Sequence, residues 1–127
     1  MPYRFQTHYT IEQARALLPQ IRQWLAEIQQ IRGRLKLVDE RLTQMLATGV
    51  DVGGESVTSQ LKLIVQLQQA LREFEKREIQ IKEVDRGLID FPAIIGGKEV
   101  FLCWEQDEND IEFWHDLDTG YAGREKL

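Results

Sequence analysis

From Ala14 to Met45 the apolar residues of this chain fall on an unbroken heptad: Ala14, Leu17, Ile21, Trp24, Ile28, Ile31, Leu35, Val38, Leu42 and Met45. Apolar residues spaced three and four apart line one side of a helix, a pattern that a strand cannot present. So long and narrow a stripe needs a partner helix along most of its length. Thr10, with Gln13 three residues later, supplies a capping box at the start. Gly49 stands where a left-handed C′ residue ends such a helix. Pro19 removes one backbone donor and crowds the carbonyl of Arg15, which predicts a kink.

The partner comes at once. Residues 49–56 read as a hairpin loop and residues 56–85 as a second helix, with Val57, Leu61, Ile64, Leu67, Leu71, Phe74 and Ile81 as its stripe. The charges of Arg72–Lys82 fall mostly on its solvent face. Helix 1, residues 10–48, outruns helix 2 by about eight residues, so an antiparallel helix 2 reaches only to Pro19. The chain beyond helix 2 should then pack around Ala14, Leu17 and Leu18.

That C-terminal segment reads as strands. Phe91–Ile95 and Glu99–Trp104 flank a Gly96-Gly97-Lys98 turn, and Ile111–His115 comes after an acidic turn, Asp107-Glu108-Asn109-Asp110. Pro92 suits an edge position. Residues 116–127 read as a tail. The expected fold is α+β: a long antiparallel two-helix hairpin, helix 1 kinked at its proline, then a three-stranded antiparallel β-meander over residues 90–115. We expect one domain spanning residues 1–127.

Charge is unevenly spread. The net charge is −5, yet residues 1–48 hold seven basic and four acidic residues while residues 88–127 hold three and ten. An acidic C-terminal third argues against a nucleic-acid footprint there. A weaker version of that idea rests on Arg15, Arg22, Arg32, Arg34, Lys36 and Arg41 of helix 1. The single cysteine, Cys103, excludes an internal disulfide and fits a reducing compartment. Neither a secretory h-region nor an apolar run of ~18 residues is present, so cytoplasm or plastid stroma is expected, with no membrane contact.

Several short motifs carry a resemblance. They are Tyr9-Thr10-Ile11-Glu12-Gln13-Ala14 with Leu17-Leu18-Pro19, then Gly87-Leu88-Ile89-Asp90-Phe91-Pro92, then Leu102-Cys103-Trp104, Glu108 and Phe113-Trp114-His115, with Gly120 and Gly123-Arg124 near the end. Together they resemble the bacterial and plastid family called domain of unknown function 2203, over nearly the whole chain. The resemblance implies an architecture and a set of positions rather than a reaction. The loop Gln106–Asp110 is longer and more acidic than that family leads one to expect.

Candidate ligand-binding residues are Asp90, Trp104, Glu108, Trp114, His115 and Arg124. His115 beside carboxylates has the chemistry of a general base or a metal ligand. One histidine and one cysteine match no zinc spacing, so no metal, cofactor or catalytic residue is assigned, and no transition metal is expected to copurify. Strand register matters here. Pairing Gln106 with Ile111 sets Cys103 opposite Trp114 and His115 on the other face; a one-residue shift brings Cys103 and His115 side by side. The plain alternatives are a structural histidine, an Asp90 that caps local backbone before Pro92, a structural ion pair for Arg124, and tryptophans that serve as sheet core. Gly53-Gly54-Glu55-Ser56 has no P-loop spacing and reads as hairpin loop. The turn Glu105–Asp110 lacks a calcium-loop pattern. His8 reads as an exposed residue before the cap.

The expected function is a non-enzymatic, homodimeric interaction or assembly protein, with another protein partner left open. Leu18, Leu25 and Leu46 on helix 1, and Leu63 and Val65 on helix 2, exceed what one two-helix seam can cover. The expected dimer interface is Leu46, Leu61, Leu63, Ile64 and Val65. The alternative is a small ligand- or metal-binding domain, or an enzyme, centred on His115, Asp90 and Arg124.

Overall fold

The structure is a computed structural model that describes residues 2–49 and 54–127. Helices α1 (Ile11–Ala47) and α2 (Gly54–Glu75) form the hairpin. Strands β1 (Gln80–Glu83), β2 (Leu88–Ile95), β3 (Lys98–Glu105), β4 (Phe113–Asp116) and β5 (Glu125–Lys126) form one antiparallel sheet in chain order. This is the α+β class that the sequence predicts. The Thr10–Gln13 capping box is in place, and Gly49, at φ 73°, comes after the C-cap Thr48. Pro19 is accommodated within one continuous helix. Gly96 and Gly97 both have positive φ and link Ile95 to Lys98, as a two-residue type I′ turn requires. Residues 50–53 of the helical loop, Gly53 among them, lie outside the described residues. Among the described residues, no helix is long and apolar enough to cross a membrane.

The sheet has two strands more than the sequence pattern suggests, and α2 stops at Glu75 rather than near residue 85. The stop is a left-handed one. Glu78 has φ 58°, and the N–H groups of Glu78 and Ile79 donate back to the carbonyls of Glu75 and Phe74. This is the reciprocal pair of a Schellman motif, and Phe74 and Ile79 form the buried apolar contact that accompanies it. The Glu78 carboxylate accepts the N–H groups of Gln6 and Thr7 at 2.9 and 2.8 Å. Beyond the stop the period changes from helical to alternating, and the charges of residues 72–83 mask the change. β5 has only two residues, too few to show a pattern.

The phase of α2 also differs from the expected stripe. Leu63, Leu67, Ala70, Leu71 and Phe74 join the core, whereas Val57, Leu61 and Ile64 are exposed. On α1, Leu18 and Leu25 are not surplus surface. They are buried in one cluster with Ile89, Phe91, Ala93, Val100, Leu102 and Trp104 of the sheet. At this end α1 is apolar on two sides: Trp24 meets Phe74 of α2 edge-on, with ring centroids 5.9 Å apart, while Leu18 and Leu25 lie under the sheet. The sheet therefore packs at the N-terminal end of α1 as expected, but α2 is shorter than the length argument assumes and ends against Trp24 rather than reaching Pro19.

Alternation sends Ile89, Phe91, Leu102 and Trp104 toward α1, and Asp90, Pro92, Phe101, Cys103 and His115 toward the opposite face. That second face is buried too. The chain termini cover it. Phe5 packs on Phe101 at 5.4 Å, and the Arg124 guanidinium lies 3.9 Å from the centre of the Phe113 ring. Glu99 accepts the N–H groups of Arg4 and Phe5, and the Tyr9 N–H donates to the Pro92 carbonyl. Pro92 lies past the last β1–β2 pair, Gln80 with Asp90, so it occupies an edge-like part of an inner strand.

Candidate functional site

Register decides which polar residues meet. Asp90 pairs with Cys103 across β2 and β3, Phe101 pairs with His115 across β3 and β4, and Cys103 pairs with Phe113. This is the register shifted by one from the Gln106–Ile111 pairing, and it places Asp90, Cys103 and His115 on one face. All three are about 1% exposed. His115 Nε2 lies 3.0 Å from Asp90 Oδ2, and His115 Nδ1 lies 2.7 Å from the Asp116 carbonyl oxygen. One donor atom from each of the three side chains lies within 4.8 Å of the other two. Among the described residues Asp90 Oδ1 is buried with no hydrogen-bond partner of its own, although the Cys103 thiol lies beside the carboxylate.

The electrostatics of the pair derive from its hydrogen bonds. A carbonyl oxygen only accepts, so Nδ1 carries a hydrogen and donates to Asp116. Nε2 then either bears a second hydrogen facing a carboxylate or accepts one from a neutral Asp90. Both arrangements hold a single proton between Asp90 and His115 with no net charge. Burial raises the Asp90 pKa, and the nearby His115 opposes that rise. Burial also pushes the Cys103 thiol up to about 12, with the Asp90 charge adding to the effect. A thiol held neutral in this way is a poor nucleophile.

Arg124 closes this face from the C-terminal side. Its guanidinium pairs with Glu108 at 3.0 Å and lies over Phe113 and Tyr121. Glu108 in turn accepts the Glu105 N–H at 2.7 Å, which ties the acidic turn to the tail. Residues 7–127 match the family described as "Uncharacterized conserved protein (DUF2203)". The chain belongs to the DUF2203 family. No curated protein and no solved structure matches it. The stretch Gly87–His115, which carries the resemblance to DUF2203, supplies all three buried polar residues of the cluster.

Of the other sequence-read positions of this DUF2203 chain, the two tryptophans lie away from the cluster, while Arg124 reaches its edge. Trp104 is fully buried, pairs across the strands with the helix-facing Ile89, and donates its indole N–H to the Glu108 carbonyl. Trp114 is half-buried, pairs with Leu102 and packs against the same core. The two tryptophans are therefore sheet core rather than a stacking platform. Among the described residues Asp90 caps no local backbone; it reaches across β3 to His115 on β4. Arg124 pairs with Glu108 and also lies beside Cys103, where its charge opposes the rise of the thiol pKa.

The acidic turn meets α1. Arg15 pairs with Asp110 at 3.1 Å, and Arg22 donates to the carbonyls of Gln106 and Glu108. Arg86 holds Glu105 at 3.0 Å. The basic first helix and the acidic C-terminal third thus complement each other inside the molecule. Arg15, Arg22 and, through Asp85, Arg32 are occupied there. His8 is not free either: it contacts Glu99 at 2.7 Å. The sequence offers Cys103, with Asp90, Glu108 and Asp118, as a possible contributor beside His115 and leaves open whether Cys103 and His115 share a face; the β3–β4 register places them on one.

Proposed function

We propose that this chain is a non-enzymatic interaction protein that acts as a homodimer, paired through the outer face of α2 near the hairpin loop. One observation carries the reading. Residues 56–71 contain one charged side chain, Lys62, and Leu61, Ile64 and Val65 within them stand 57%, 37% and 50% exposed. Val57 and Leu46 extend the exposed apolar surface. Interfaces are depleted of charge at their centre, and a helix with apolar residues at 57, 61, 64 and 65 has the spacing of a bundle seam. The face carries almost no charge to select a partner of opposite sign, and a second copy meets it by a two-fold rotation. Two hairpins joined in this way make a four-helix bundle, with the sheets at its ends. Leu63, also expected at the interface, is partly buried against the core and supports the seam from within. The cytoplasm or plastid stroma is the compartment that goes with this reading.

Each of these side chains, already half-covered, contributes roughly 1 kcal/mol on full burial. The expected result of sedimentation equilibrium is a dimer at tens of micromolar. The Leu61→Glu, Val65→Glu double variant should be a folded monomer, because both side chains point away from the core. A monomeric wild type, or an undiminished dimer in the variant, rules the reading out. A second reading, a ligand-binding domain on the sheet, draws on the Asp90–His115 contact; Arg124, its third residue, is engaged by Glu108.

A further inference from the structure

The least expected grouping in the molecule is three different metal-ligating side chains on one buried sheet face, at the opposite end from the proposed dimer seam. We propose that Asp90, Cys103 and His115 form a site for one divalent transition cation of the zinc class, held by carboxylate oxygen, thiolate sulfur and imidazole Nε2. Spacing along the chain gives no hint of such a site, because the three residues meet only through strand register. Three observations support it.

The first is the donor geometry. The donor atoms lie within 4.8 Å of one another, whereas tetrahedral coordination at ordinary zinc bond lengths sets donors roughly 3.3–3.6 Å apart. Side-chain adjustments of about 1 Å close the site, and the strand register already gathers the three residues. The second is the outer contact of the histidine. Metal-ligating histidines donate their other ring N–H to a carbonyl or carboxylate, which fixes the tautomer and leaves a lone pair for the metal. The Nδ1 contact to the Asp116 carbonyl does this, and leaves Nε2 facing Asp90. The third is the unmatched oxygen. Among the described residues Asp90 Oδ1 has no hydrogen-bond partner of its own and only the weakly donating Cys103 thiol stands beside the carboxylate, which costs free energy unless something else meets it.

Charge and softness select the ion. The two anionic donors, thiolate and carboxylate, match the two charges of a divalent cation, and the Arg124 guanidinium beside Cys103 is itself balanced by Glu108. Sulfur and nitrogen donors suit zinc and its neighbours, not calcium or magnesium, which need six or more oxygens. Three protein ligands leave a fourth position for water or a small anion. Because the cluster is closed over, the ion enters as the chain folds.

The test unfolds the full chain with a chelator and refolds it with cobalt(II) or zinc(II). One equivalent should be retained per folded chain. Cobalt should give intense tetrahedral visible bands with a thiolate charge-transfer band in the near ultraviolet, and zinc should displace it. Cys103→Ser should lose the charge-transfer band, and His115→Gln should bind at least tenfold more weakly. Should either variant fail to fold, zinc-edge X-ray absorption on the wild type provides an independent measurement. Cys103 is the only cysteine, so a single sulfur at thiolate distance identifies it. Folded wild type without retained metal, or a zinc shell without sulfur, overturns the proposal. The dimer measurement is unaffected by either outcome.

Discussion

Gly87 shows how much can rest on one residue. It sits at φ 65° in the turn between β1 and β2, and a Cβ there would come 2.5 Å from Gln106 Cβ and 2.9 Å from Leu25 Cδ2. The left-handed backbone and the contact with α1 both require glycine. A Gly87→Ala variant incurs the left-handed cost and also forces α1 and the 106 turn apart. We expect a loss of about 2–5 kcal/mol, read by urea denaturation. Gly96→Ala offers the comparison: its φ is also positive, but nothing lies within 4 Å of its Cβ. Its loss should stay near about 1–2 kcal/mol. Equal losses at the two positions would show that the contact at Gly87 carries no energy.

The N-terminal segment behaves as an element without secondary structure, held by acceptors from elsewhere in the chain. Glu78 takes the N–H groups of Gln6 and Thr7, and Glu99 takes those of Arg4 and Phe5 while contacting His8. Burial works to raise the Glu99 pKa, but the His8 contact and the two backbone N–H groups outweigh it and hold the carboxyl below its ordinary value. The folded value is lower than the unfolded one, so this stabilisation is complete above the ordinary glutamate range, about pH 4.3, and is lost as pH falls through the folded value. Acidification should therefore release residues 4–8 before the sheet melts, seen as early loss of the Phe5 and Arg4 amide protection. In Glu99→Gln the same amides should be poorly protected already at neutral pH. If they stay protected in that variant, the carboxylate is not what holds the segment.

At the scale of the whole molecule, burial is lopsided. The fully buried residues of α1 end at Ile31, and beyond them Leu35, Val38, Leu42 and Met45 are only half-covered. The sheet end holds two layers on α1, while the loop end of the hairpin has one helix against another. Regions with few buried contacts open locally at lower free energy than the core. Amide exchange should be fast at the loop end of α1 and α2 in the monomer and slow from Ala14 to Ile31. If α2 forms the proposed seam, protection around residues 57–65 should rise with protein concentration while that of residues 14–31 stays constant. Protection that is independent of concentration throughout would argue against self-association.

The helical hairpin was legible because its signals are local. The heptad, the Thr10–Gln13 box, Gly49 at the helix end and the Gly96-Gly97 turn each act within a few residues of chain. The α+β order and the grouping of Asp90 and His115 among candidate residues came from such signals too. What tertiary structure decided were the relations between distant segments. Which side of α2 faces α1 placed Leu63 inside and Leu61 outside. The N–H donors of Gln6 and Thr7 met by the Glu78 carboxylate help a non-glycine end α2 ten residues before the helical pattern runs out. One step of register between β3 and β4 brought Cys103 to the face of His115. Side chains alternate along a strand, so one residue of slip moves each to the opposite face. Register of this kind is set by which face of each strand is buried and by the geometry of the connecting turn, both relations across the sheet rather than properties of Cys103 or His115 alone.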